Sequence, residues 1–298
     1  MKRMNKMTRQ FEGYSFIGLW IIGFMAFSLG PLLFSLIISF FKWSLLDKPV
    51  FIGLKNYIDM FKLDPLFWKS LKVTFTYAVV SVPLGLIVSL LLAILLNLKL
   101  KGMGIFRTLF YLPSVITGVA AAVLWMWVLQ PDFGILNYFL SFLGIQGPDW
   151  LGDPNWALTS LIMMSVWGSG GGIVIFLAGL QNIPQLLYDV SSIDGATKFR
   201  QFRAITIPMI TPSIFFNLIM GVIGAFRTFT QGYVMTNGGP LNSTYFYALY
   251  IYNKAFQDLQ MGYAAALSWI LFIIIAVLTL LVFKTSSSWV YYETERKG

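Results

Sequence analysis

Neither cysteine nor histidine occurs among the 298 residues. The first absence removes disulfides, thiol nucleophiles and thiolate metal ligands. The second removes the side chain that most often acts as general base near neutral pH and as metal ligand. Charge is scarce too: Asp, Glu, Lys and Arg supply 11% of the chain, against about 25% in a soluble domain. Most of the 12 carboxylates fall between apolar segments, so neither a catalytic residue nor a metal site is indicated and an enzyme is a poor reading. A chain that is 57% apolar with so few charges cannot cover a water-facing surface, which makes the bilayer its main solvent. Its net charge of +9 is scattered between apolar segments. Anionic lipid headgroups, and not nucleic acid, account for that pattern.

What the chain does have is long apolar runs. A bilayer span needs about 20 mostly apolar residues, and six segments qualify: 16–41, 71–96, 106–129, 156–180, 207–233 and 262–283. The first follows Lys2, Arg3, Lys6 and Arg9 but is too long for a signal-peptide core and has no small-residue cleavage site after it. It reads as a retained span. Pro31, Pro83, Pro113 and Pro212 lie inside the spans, where a bilayer helix tolerates them if neighbours satisfy the freed carbonyls. The fold class expected is therefore all-α, a six-span polytopic protein with tails at 1–15 and 284–298 and a transmembrane domain over 16–283.

Basic residues set the orientation. Lys2, Arg3, Lys6, Arg9, Lys99, Lys101, Arg107, Lys198, Arg200, Arg203, Lys284, Arg296 and Lys297 fall on the face holding both tails. The other face has Lys42, Lys48, Lys55, Lys62, Lys69, Lys72 and Lys254. The excess places both termini in the cytoplasm. Some of the lysines in 42–72 are expected on an interfacial helix, snorkelling to headgroups. Trp20, Trp43, Trp68, Trp150, Trp289, Tyr291 and Tyr292 are expected as interface belt residues.

One loop stands out. Segment 184–206 interrupts the apolar chain with charge at helical spacing. Pro184 suits a helix start, Leu186, Leu187 and Val190 recur on one face, and Phe199, Phe202 and Ile205 do so further on. Asp194-Gly195 is a turn signal between them. Two short amphipathic helices joined at Gly195 are expected, with Lys198, Arg200 and Arg203 on the second. From the residues alone, the loop either rests on lipid headgroups or docks a partner.

The residues Asp194, Gly195, Ala196, Phe202, Ile205, Pro208 and Pro212 resemble the cytoplasmic EAA signature of permease subunits of binding-protein-dependent ABC importers. Asp189, Val190 and Ser191 stand where that signature has Glu, Ala and Ala. Thr236-Asn237-Gly238-Gly239-Pro240 and Trp150-Leu151-Gly152-Asp153-Pro154 are similar to segments of the carbohydrate-uptake branch, whose members include the maltose permease subunits. The resemblance spans roughly 10–285 and implies a type I importer permease fold in the bacterial cell membrane. It also implies four kinds of partner: a homologous second permease, two ATP-binding subunits, an extracellular solute-binding protein, and a sugar or oligosaccharide as cargo. No phosphate-binding loop G-x-x-x-x-G-K-[ST] is present, so ATP and Mg would sit on the partner ATPases and this chain would bind no cofactor. Asp189, Val190, Ser191, Ile193, Asp194, Gly195, Ala196, Lys198, Phe202 and Arg203 would couple to those ATPases. Exposed ion pairs contribute about 0–1 kcal/mol each, so Val190, Ile193 and Ala196 should carry the docking.

For the cargo, aromatic faces and uncharged polar groups are wanted. Trp167 and Ser169 stand beside the Gly170-Gly171-Gly172 run, where a ligand or backbone can approach closely. Phe226, Arg227, Thr228, Phe229, Gln231 and Tyr233 offer both kinds of group in span five. The resemblance adds Ser165, Gly168 and Ser169 in span four and Gly221, Ala225 and Thr228 in span five. Arg227 has three readings: a helix-terminal or snorkelling cation, a pore-facing one, or a contact to another subunit. Trp125 and Trp127 are read as packing residues before sugar platforms. An ion-gradient-driven secondary transporter is the alternative, disfavoured because no carboxylate falls within the spans.

Overall fold

The computed structural model describes residues 14, 17–98 and 100–291. Lys2, Arg3, Lys6, Arg9, Lys99, Tyr292, Arg296 and Lys297 lie outside them. Three helices are long and apolar enough to cross a bilayer: α1 (Ile17–Ile38), α3 (Pro65–Leu96) and α13 (Met261–Ser286). Three further segments reach that length only as bent pairs. These are α4 (Met103–Val115) with α5 (Gly118–Val128), α7 (Ala157–Trp167) with α8 (Gly170–Gln181), and α10 (Lys198–Met209) with α11 (Thr211–Phe226). Shorter helices fill the connections: α2 (Lys55–Lys62), α6 (Ile135–Phe142), α9 (Gln185–Ile193) and α12 (Tyr247–Tyr252). The one ribbon among the described residues pairs β1 (Phe41–Lys42) with β2 (Val50–Phe51).

The bends are where the structure departs from six straight spans. Span 106–129 breaks by 101°, span 156–180 by 43°, and span 207–233 by 61°. Each break has a local cause. Pro113 tightens the last turn of α4, and Ile116 and Thr117 then extend with ψ of 134° and 142°. Gly168-Ser169 ends α7, and the three glycines after it begin α8. Pro208 and Pro212 straddle Ile210, each lacking an amide donor for the preceding turn. Span five therefore starts well before residue 207: α10 runs in from Lys198 through a wide turn at Phe202–Thr206. Pro83 leaves α3 unbroken, and Pro31 follows a wide turn at Met25–Leu29 that makes room for its ring.

The chain divides into two compact units. The smaller takes in 1–64 and 251–270. In it, Asn56 of α2 donates to the carbonyls of Ser39 and Phe41 at 2.7 and 3.0 Å, and the Tyr57 hydroxyl meets Ser39 Oγ at 2.8 Å, which ties α2 to the end of α1. The α2 helix carries Lys55 and Lys62 of the expected interfacial lysines.

The larger unit, 65–250 with 271–298, is built around α3. Ala93 and Leu96 of α3 are buried with Ile173, Phe176 and Leu180 of α8, Ile183, and Ile210 at the α10–α11 break. Arg107 donates two bonds, 3.2 and 2.9 Å, to the Leu96 carbonyl and so caps the C-terminus of α3. Trp150 departs from the belt reading. It is buried, its indole N–H donates to Asn137 Oδ1 at 2.6 Å, and it anchors a connection. Segment 234–250 also folds inward: Phe246, Tyr247, Leu249 and Tyr250 are fully buried, and the Tyr247 amide donates to Thr74 Oγ1 at 2.9 Å.

Candidate functional site

A cavity of about 510 Å³ opens inside the larger unit. Its walls come from α3 (Tyr77, Ser81, Ser89), the α4–α5 break (Pro113, Ser114, Ile116, Gly118), the α7–α8 break (Ser165, Trp167, Gly168, Ser169, Gly171, Gly172) and α11 with the turn after it (Asn217, Gly221, Ala225, Thr228, Gln231). Non-helical backbone at bilayer depth is tolerated only where it is buried in protein or borders a polar cavity. Two of the three breaks border this cavity; the third, at Ile210, is fully buried.

Glycine makes the convergence possible. A Cβ on Gly170 would stand 2.9 Å from the Phe110 carbonyl oxygen, and one on Gly172 would stand 3.0 Å from Ser89 Oγ and 3.3 Å from Asn217 Oδ1. The start of α8 therefore sits against α4, α3 and α11 as only glycine allows.

The lining mixes apolar side chains, among them Val82, Leu86, Met164 and Phe176, with uncharged polar groups: no Asp, Glu, Lys or Arg contributes to it. The Tyr77 hydroxyl donates to Gln231 Oε1 at 3.1 Å. Several hydroxyls donate to backbone carbonyls: Ser114 to Tyr111, Ser165 to Ile162 and Ser169 to Val166, at 2.7, 2.7 and 2.6 Å. Among the described residues, no group of acidic side chains is placed to hold a metal ion.

Of the residues singled out from sequence, Ser165, Trp167, Gly168, Ser169, Gly221, Ala225, Thr228 and Gln231 line this cavity. Four others do not. Phe226 is fully buried and packs edge-on against Phe75, because its side of α11 faces the core. Arg227 caps the C-terminus of α11 and is exposed. Phe229 and Tyr233 stack on each other, ring centroids 5.3 Å apart. Trp125 packs edge-on against Trp167 at 5.9 Å, and Trp127 is exposed. Nothing local in the sequence distinguishes Tyr77, Ser81, Ser89, Ser114 and Asn217 from other polar residues in apolar runs; only the fold brings them to one lumen.

The second feature is the hairpin of α9 and α10. The α9 helix starts at Gln185 after Pro184, and Gly195 takes a left-handed φ of +73°. Thr197 then caps α10 by accepting from the Arg200 amide at 3.3 Å. Asp189, Val190, Ile193, Asp194, Lys198, Phe199 and Arg203 are exposed, with Ile193 at 86% and Phe199 at 74%. Ser191, Ala196 and Phe202 are half-buried. The inner side of the hairpin joins the α3–α8 core through Tyr188, Ile205 and Ile207. An exposed apolar face on a short helix thus continues directly into α10 and, through the Ile210 break, into α11.

Residues 73–292 match the binding-protein-dependent transport system inner membrane component family. The chain belongs to that family. It is 47% identical over 289 residues to the probable ABC transporter permease protein YesP of Bacillus subtilis (strain 168), covering 96% of this chain and 93% of the relative. It is 37% identical over 280 residues to the lactose transport system permease protein LacF of Rhizobium radiobacter, covering 91% and 93%. A bacterial alginate ABC transporter, solved in complex with an alginate pentasaccharide-bound periplasmic protein, has a chain of the same fold. The TM-score is 0.80 at 23% identity, over 94% of this chain and 95% of that one. The chain is thus a multi-pass permease component of an ABC transport system, all-α, with the fold of importer permeases.

Proposed function

We propose that this permease is one of two transmembrane subunits of an ATP-driven importer for a sugar or oligosaccharide. A second, homologous permease completes the path, two ATP-binding subunits dock on its cytoplasmic face, and an extracellular solute-binding protein delivers the cargo. Both termini are cytoplasmic in this reading, which follows from the excess of basic residues on the face that carries the α9–α10 hairpin. The observation that carries it is the pairing of an uncharged cavity, in which hydroxyls and two amides punctuate apolar walls, with an exposed apolar hairpin. Sugar hydroxyls exchange hydrogen bonds with Tyr77, Gln231 and Asn217 and donate to the serines, and Trp167 offers a face to the C–H surface of a ring. The LacF name and the alginate complex support the carbohydrate class.

In this mechanism ATP and Mg are held by the partner subunits. Closure of the ATPases around ATP pushes the hairpins at 184–206 together. The hairpin passes that movement to α11, whose Asn217, Gly221 and Ala225 border the cavity, so access alternates by rocking of bundles. Ile193 and Val190 seat in the ATPase; the flanking Lys198 and Arg203 add weak, screened pairing.

Reconstitution tests the proposal. Proteoliposomes carrying both permeases and the ATPases should accumulate the sugar only with binding protein and ATP. Accumulation driven by a proton or sodium gradient with the ATPases omitted would sink it in favour of a secondary transporter.

A further inference from the structure

The two arms of the hairpin are joined by more than the turn at Gly195. Gln201 of α10 is 3% exposed, although it lies in a charged, water-facing loop. Its Nε2 donates to Ser192 Oγ at 2.8 Å, to Ser191 Oγ at 3.0 Å and to the Tyr188 carbonyl at 3.3 Å. Both serine hydroxyls donate in turn to that same Tyr188 carbonyl, at 2.9 and 2.7 Å. Tyr188 is tied a second time: its own hydroxyl meets Thr206 Oγ1, itself buried, at 2.9 Å. A buried amide satisfied on one side by three acceptors of α9 leaves the arms one relative position, because any splaying strands a desolvated donor.

We propose that Gln201, with Ser191 and Ser192, is a positioning latch that makes α9 and α10 a single rigid body. Ser191 thereby has a physical role where the related signature carries alanine: it exchanges an apolar contact for a specific hydrogen-bonded one. Without the latch, a push on Val190 and Ile193 bends the chain at Gly195, whose left-handed conformation has open space around it, and does not reach α11. The inference rests on the reading that this hairpin receives the ATPase.

The absence of cysteine makes the test direct. Spin labels at Gln185→Cys and Ala204→Cys, both exposed, report the distance between the arms in the complete complex with and without ATP. The parent should give one narrow distance that ATP does not move. Gln201→Leu should lose the single distance, and ATP should shift its mean. Ser191→Ala with Ser192→Ala should broaden it too, and the triple variant should recover a narrow distance, since it leaves no desolvated side-chain donor behind. A Gln201→Leu distribution as narrow as the parent's, or effects that simply add, would overturn the latch. Ile193→Glu is the separate control for the underlying reading: ATPases that still co-purify with that variant refute the docking site and not the latch.

Discussion

Single side chains divide into those that face the cavity and those that sequence spacing alone had put beside them. Gln231 and Arg227 lie one helical turn apart in sequence, yet Gln231 accepts from Tyr77 at the lumen while Arg227 ends α11 in the open. Gln231→Leu should lower uptake about tenfold, the equivalent of one hydrogen bond to cargo or to Tyr77. Arg227→Met should leave both rate and sugar preference unchanged. Uptake assays on the two variants in the same proteoliposomes check this; a reversed order of effects would move the path away from the cavity. The polar lining residues of α3 show why a sequence hides such a site. Ser81 and Ser89 are two serines in an apolar run, and nothing local separates them from Ser70, which is buried against its own helix.

Helices and turns were easier to read than side-chain roles. The punctuation at Pro184 and Gly195 is local chemistry, and the structure has a helix end at each. The bends at Ile116, Gly168 and Ile210 were invisible as bends: proline and glycine mark where a helix can break, but the angle is set by what packs on either side. Likewise nothing local marks α12, because its place depends on the burial of Tyr247 and the preceding Phe246 against distant Phe67 and Tyr77. At this scale Gly195 is the position to test. A β-branched residue in a left-handed conformation costs about 1–2 kcal/mol, whereas Asn tolerates it. Gly195→Val should keep membrane insertion and ATP hydrolysis but cut uptake per ATP, and Gly195→Asn should retain coupling. Measured transport-to-hydrolysis ratios that are equal in the two variants would count against the turn as a fixed angle.

For the whole molecule, orientation is the property that charge alone supplies. With no native thiol to interfere, a cysteine at Ser192 should be shielded from a membrane-impermeant maleimide in intact cells, and one at Asn155 should react. Labelling in the opposite sense would invert the topology. The serine hydroxyls of the cavity wall carry one more consequence. Ser114, Ser165 and Ser169 each direct their hydrogen inward to a carbonyl one turn back, so what they turn to the lumen is lone pairs. Such a wall meets a passing hydroxyl as a lubricated surface does: it accepts weakly at many points and grips at none. In the proposed path, discrimination would then fall to the protein that hands over the cargo, and one permease could serve a series of related glycans of different length.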